Sequence, residues 1–191
     1  MPYTKEHKGK TRKKILRSAF QLFTAKGFDG VTVNELMENC GLTRGAFYAH
    51  FSGKAALYNE SLKFAATSSK LSELKPEHTS DKEWLGQLLD GYLSLNHVNG
   101  IRPCPLAFLA TDIVTQEQEA KETYTSVYEG MNKTITAYVK TFYSCHQDKV
   151  LSVTAMIIGA VAISRTLEDQ EIISKLLTSC RLEAGKILGG I

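Results

Sequence analysis

The chain has 191 residues, 43% of them hydrophobic, with 23 Lys or Arg against 20 Asp or Glu. That is enough apolar material to bury a core without disulfides or a structural metal. No apolar run reaches the length expected of a bilayer-spanning helix: the richest, residues 150–163, is interrupted by Ser152, Thr154 and Gly159 and reads as a buried or interfacial helix, so no membrane partner is expected.

The net charge of +3 is unevenly spread. Residues 1–60 hold ten Lys or Arg against five Asp or Glu, and the remainder holds thirteen against fifteen. A polyanion-binding head on a mildly acidic body is the natural reading. The basic stretch 5–14 lacks the apolar segment and cleavage site of a secretory signal, so a cytoplasmic location is expected; the stretch is either a mobile cationic arm or a solubilising tail. Cys40, Cys104, Cys145 and Cys180 form no C-x-x-C pair and are expected to be reduced thiols. Neither they nor the five scattered histidines have metal-ligand spacing, and no metal or other cofactor is expected.

In chain order, Ile15, Leu16, Ala19, Phe20, Leu22 and Phe23 recur at helical spacing and predict an amphipathic helix stopped by Gly27. Thr32 and Glu35 form a T-x-x-E capping box that opens a second helix over 33–39. Gly41 permits a sharp turn, and Thr43 is placed to cap a third helix over 44–50. Ser52 is placed to cap a fourth, running from 53 into the low 70s. After a break around Pro76, Ser80 and Glu83 form another capping box, opening a helix that carries Trp84, Leu85, Leu88, Leu89 and Tyr92. Asn99-Gly100, Pro103 and Pro105 interrupt the pattern before a short apolar segment at 106–110. Thr115 and Gln118 are placed to start a long helix through Tyr124, Tyr128, Met131 and Val139, and two more helices follow over 149–167 and 169–188. No segment alternates with a period of two. The chain is therefore expected to be all-α, with about nine helices.

Residues 32–51, TVNELMENCGLTRGAFYAHF, have the grammar of a helix-turn-helix: two short helices about a glycine turn, the second small and polar on one side. Leu36, Met37, Leu42 and Phe47 would hold the two helices together. Thr43, Arg44, Gly45 and Ala46 fit the exposed edge that enters a major groove.

The same residues carry a resemblance. A-x-x-L-F-x-x-K-G-F from Ala19 to Phe28, T-V-x-E-L from Thr32 to Leu36, and C-G-L-T-R-G-A-F-Y-x-H-F-x-x-K from Cys40 to Lys54 resemble the DNA-binding domain of TetR-family repressors. The resemblance covers residues 12–62 and implies a division into a DNA-binding head, residues 1–52, and a ligand-binding and dimerisation body, residues 53–191. It further implies that Thr32 and Thr43 cap helices and touch phosphates, that Arg44 and Gly45 meet base edges or the nearby backbone, and that Tyr48, His50 and Lys54 hydrogen-bond phosphates. Arg44 is the leading specificity residue, directed at guanine. Family members often carry acidic residues after that lysine, whereas Ala55 and Ala56 follow here, which would leave Lys54 freer for DNA.

The implied function is a repressor that binds a double-stranded palindromic operator as a homodimer through its last two helices. Release would come from a small-molecule inducer or from cysteine modification. Trp84, Leu88, Tyr92, Cys104, Phe108, Tyr124, Tyr128 and Met131 are the candidates for lining a ligand pocket in the body, against the reading that such stripes are plain core. Cys104, in Arg102-Pro103-Cys104-Pro105, stands where a helix dipole and Arg102 could lower its pKa, and it resembles the sensing position of electrophile-responsive members; a small buried hydrophobe is the competing reading. Enzymatic function is not expected. The alternatives weighed are a cysteine-dependent hydrolase, which lacks a nucleophile motif, and a non-specific nucleic-acid binder.

Overall fold

A computed structural model describes residues 5–68, 75–100, 103–144 and 147–191; Arg102, Cys145 and His146 lie outside them. The regular elements of the described residues are all helical: α1 (Lys5–Lys26), α2 (Val33–Asn39), α3 (Arg44–Tyr48), α4 (Lys54–Ser68), α5 (Asp81–Tyr92), α6 (Leu95–Val98), α7 (Pro105–Phe108), α8 (Gln118–Val139), α9 (Gln147–Ser164) and α10 (Gln170–Ile187), with a 3-10 turn at Asp112–Thr115. The all-α expectation holds. Local chemistry sets most boundaries. Gly27 ends α1 at φ 73°, with its N–H on the Phe23 carbonyl. Ser80 caps α5 through both halves of the box, and Asp169 caps α10 by accepting from the amides of Glu171 and Ile172. The Thr32 box forms differently: the hydroxyl accepts from the Glu35 amide, but the Glu35 carboxylate pairs with Lys26.

The basic stretch 5–14 is neither a loose arm nor a tail, because it continues α1. Its lysines have good helix propensity, and the Arg12 side chain ties the extension to the structure beneath it.

Contacts gather the chain into two compact units, one of Met1–Ser69 with Phe108–Thr125, the other of Lys70–Ala107 with Ser126–Ile191. In the first, α1 packs against α4 and α2, and α3 packs against α2. The core joins Ile15, Phe20 and Phe23 of α1 with Leu36, Met37, Phe47, Leu57, Tyr58 and Leu62, and is completed by Leu109, Ile113 and Ala120 from the later segment.

In the second unit, α9 and α10 form a hairpin against which α5 and α6 pack. With 18 residues and a mean hydropathy of 1.3, α9 is long and apolar enough to cross a membrane, contrary to the expectation from its interrupted run. It nevertheless buries Val150, Val153, Ile157, Ala160 and Val161 inside the unit. It also buries Thr154, whose hydroxyl bonds Asn132 at 2.9 Å and Tyr128 at 3.2 Å. That network fixes the register of α8 on α9.

His97 is buried, with Nδ1 against the Tyr92 carbonyl and its ring edge-on to Tyr92 at 4.4 Å. Burial pushes its pKa below the ordinary 6.5, only partly opposed by that carbonyl. The unfolded chain therefore binds a proton that the folded chain resists. Stability from this group is complete above the unfolded value and is lost as pH falls toward and through the folded one. Denaturant melts are expected to shift to lower midpoints as pH drops below about 6.5, and a His97→Asn variant is expected to show a shallower pH dependence over that window.

Candidate nucleic-acid interface

The helix-turn-helix is built from the core outward. Leu36, Met37 and Phe47 are fully buried, and Phe47 packs at a tilt on Phe51 at 5.8 Å, so α2 and α3 share one apolar floor. Gly41 at φ 61° makes the turn. The amides of Gly41 and Leu42 close it on the carbonyls of Glu38 and Met37, both at 2.8 Å. A side chain other than glycine would be strained there.

Above this floor the start of α3 is open. Thr43 holds the cap position in an extended conformation, but its hydroxyl makes no cap bond, so it remains available to an outside acceptor. Thr32, Thr43, Arg44 and Gly45 are exposed, and Arg44 has no ion pair among the described residues. Ala46, expected on the open edge, is half-buried and packs against the core. Tyr48 is 57% exposed, its ring held edge-on to Phe47 at 5.1 Å. α3 ends at Tyr48 rather than at residue 50.

Two expected phosphate contacts sit differently. The Lys54 ammonium donates to the carbonyls of Phe28 at 2.9 Å and Val31 at 3.0 Å and lies 4.1 Å from the Phe28 ring centroid. It is committed to the loop between α1 and α2, not left free. His50 is half-buried, and its Nδ1 is enclosed without a partner. Burial, then the charges of Lys8 and Arg12, push its pKa down, so the ring is neutral at pH 7.

Residues 15–60 match the family model described as bacterial regulatory proteins, tetR family. The match runs from within α1 into α4 and takes in the whole helix-turn-helix. Over 124 residues the chain is 26% identical to the HTH-type transcriptional regulator YerO of Bacillus subtilis, covering 61% of this chain and 41% of YerO. Over 75 residues it is 35% identical to the HTH-type transcriptional regulator AcrR of Shigella flexneri, covering 39% of this chain and 34% of AcrR. The matched part thus spans less than two thirds of these curated relatives. Solved structures cover more. The reduced form of Escherichia coli NemR superposes with a TM-score of 0.76 at 17% identity, over 90% of this chain and 95% of that one. A TetR-family regulator from Agrobacterium tumefaciens gives 0.77 at 14%, over 91% and 97%. The chain therefore has the fold of TetR regulators along nearly its whole length.

The unit that contains the helix-turn-helix holds one residue that sequence reasoning missed. Asp112 accepts the Phe28 amide at 2.9 Å on Oδ1 and the Tyr58 hydroxyl at 2.6 Å on Oδ2. Burial and this carboxylate push the Tyr58 pKa up, so the phenol stays protonated and donates. With Lys54 holding the Phe28 and Val31 carbonyls, the loop before α2 is clamped by an acid and a base. Lys54→Met is expected to destabilise the head by about 1–3 kcal/mol, since two carbonyls lose their donor. An unchanged urea midpoint would refute that role.

The pocket candidates are only partly brought together. Phe108 and Tyr124 belong to the unit that contains the head, where Tyr124 packs against its core. Trp84, Leu88, Tyr92, Cys104, Tyr128 and Met131 belong to the other unit and are half-buried. The Tyr92 hydroxyl donates to Cys104 Sγ at 3.5 Å, and Trp84 Nε1 is enclosed without a partner. A cleft of about 300 Å³ opens elsewhere, between Ser52–Asn59 and Gln116–Ala120, and none of the expected pocket residues lines it. The expected lowering of the Cys104 pKa is reversed. Burial pushes the thiol up and outweighs Tyr92 and the amides of Leu106 and Ala107, and the single turn of α7 offers little dipole.

Proposed function

We propose that this protein is a sequence-specific transcriptional repressor that binds a palindromic operator as a homodimer. Release would come from a small-molecule inducer held in the body or from modification of Cys104. The observation that carries the reading is the open start of α3: Thr43, Arg44 and Gly45 stand exposed and uncommitted on a rigid apolar floor, next to Tyr48. That edge presents a guanidinium fork to base edges and hydroxyls to phosphates. Thr32 and His50 join as flanking contacts, His50 as a neutral ring, while Lys54 acts by positioning the loop. The IcaR proteins of Staphylococcus aureus, 34% identical over 50 residues, are named as negative regulators of a biofilm operon, in keeping with repression.

Dimerisation is supported by an apolar face on α9 and α10 that the single chain leaves open. Ile163, Ile172 and Leu182 are each at least half exposed, beside Leu151, Ala155 and Gly159. Burying them against a second copy is the stable outcome, and a symmetric pair supplies two heads for two half-sites. Such a regulator acts in the cytoplasm.

Selection of bound fragments from genomic DNA at moderate salt tests the reading. Recovery of one palindromic class over random DNA by a factor of about 10³ or more is expected; uniform retention would overturn it in favour of electrostatic binding. Because burial favours the neutral thiol, a thiol-reactive aldehyde is expected to act on Cys104 slowly. Loss of operator binding in wild type but not in Cys104→Ser would support the cysteine route, and an identical response in both would remove it.

A further inference from the structure

The first turns of α1 bury no side chain: apolar positions begin only at Ile15, and residues 6–14 are exposed or half-exposed. A helical extension with nothing to bury is marginal in water. Arg12 anchors it. The Arg12 guanidinium lies 4.7 Å from the Phe51 ring centroid and pairs with Glu60 of α4. Phe51 in turn packs on Phe47, so the anchor sets the extension beside the end of the recognition segment. Lys8, one turn before Arg12 on the same helical face, lies near enough to His50 for its charge to act on the ring. Lys8, Lys13, Lys14 and Arg17 are all exposed with no ion pair among the described residues, whereas Lys10 is matched by Glu6 at 2.7 Å.

We propose that the N-terminal turns of α1 form a second DNA-backbone contact, in which Lys8, one turn from the Arg12 anchor, meets a phosphate flanking the bases faced by α3. The proposal rests on the DNA-binding reading above and extends its footprint. Duplex DNA is favoured over a membrane surface because residues 6–14 have cations but no apolar side chain to enter a lipid interface. A fixed helix also presents its cations at a set pitch of about 1.5 Å per residue, which suits a backbone of regular charge spacing. Lys13, Lys14 and Arg17, on other exposed faces, add longer-range attraction.

The test uses the full chain and its selected operator, with affinity followed over roughly 50–200 mM salt. Lys8→Gln is expected to reduce the slope of log affinity against log salt by about one per protomer and the affinity by roughly tenfold near 0.1 M, leaving sequence ranking unchanged. Lys8→Arg is expected to retain the wild-type slope. Lys82→Gln on α5 removes the same charge from the other unit and is expected to leave the slope alone. A Lys8→Gln slope no different from that of Lys82→Gln overturns the proposal. So does an unchanged slope accompanied by loss of binding to vesicles of anionic phospholipid, which would assign the extension to membranes. A wild-type protein that selects no sequence overturns the underlying reading instead, and is recognised before any variant is made.

Discussion

Replacing Asp112 with alanine is expected to lower the unfolding free energy of the head by about 3 kcal/mol. Hydrogen bonds to a charged acceptor are each worth about 1.5–3 kcal/mol, and this carboxylate accepts two, from the Phe28 amide and the Tyr58 hydroxyl. The full sum is not expected, since Asp112 is half-buried and water can reach part of the gap. Tyr58→Phe removes one of the two bonds and is expected to cost about 1–2 kcal/mol. The pair should be non-additive, because each variant disrupts the same contact. Gly27 belongs to the same arrangement: a Cβ there would stand 3.0 Å from Asp112 Oδ1, in a backbone conformation that side chains avoid. Gly27→Ala should therefore destabilise the same loop. Urea melts measure all three, and a change below about 0.5 kcal/mol in Asp112→Ala, the usual range of an uninvolved surface substitution, would show that the clamp carries no stability. Amide exchange at Phe28 offers a local readout, expected to quicken in Asp112→Ala.

Arg44→Ala is expected to leave the fold intact and to cost about 1–3 kcal/mol of base discrimination, roughly 5- to 150-fold, at one position of each half-site. The side chain is exposed and has no ion pair among the described residues, so stability should move little. Tyr48→Phe is expected to behave differently. Its hydroxyl faces a phosphate in this reading, so affinity should weaken by a similar factor on every sequence while preference is kept. A binding series over single-base variants of the operator separates the two patterns. Uniform weakening in Arg44→Ala would move Arg44 from reading bases to touching the backbone.

The helix-turn-helix was legible because its grammar is local. Thr32 and Gly41 act within four residues of themselves, and α2 falls at Val33–Asn39 as its cap and turn require. The Ser80–Glu83 box is local in the same way and forms in full. α3 is shorter than its pattern: the His50 amide tightens into a three-residue turn on the Phe47 carbonyl, which it shares with the Phe51 amide.

Other residues were not legible for one shared reason. Lys54 reads as an exposed cation until the loop 23 and 26 residues earlier is seen to fold its carbonyls over it. Asp112 carries no motif, and its partners lie 54 and 84 residues away. Cys104 sits beside a proline-led helix turn, a local cue for a reactive thiol, yet burial decides its protonation in the opposite sense. Composition and short-range spacing by themselves determined the helical class, the cationic N-terminal segment and the glycine turn of the helix-turn-helix, because helix caps, glycine turns and the 3.6-residue period are contained within single segments. Which cations remain free, which acid holds the head together and which thiol stays protonated were settled only by tertiary packing, because desolvation and hydrogen-bond partnership depend on neighbours brought in from distant parts of the chain.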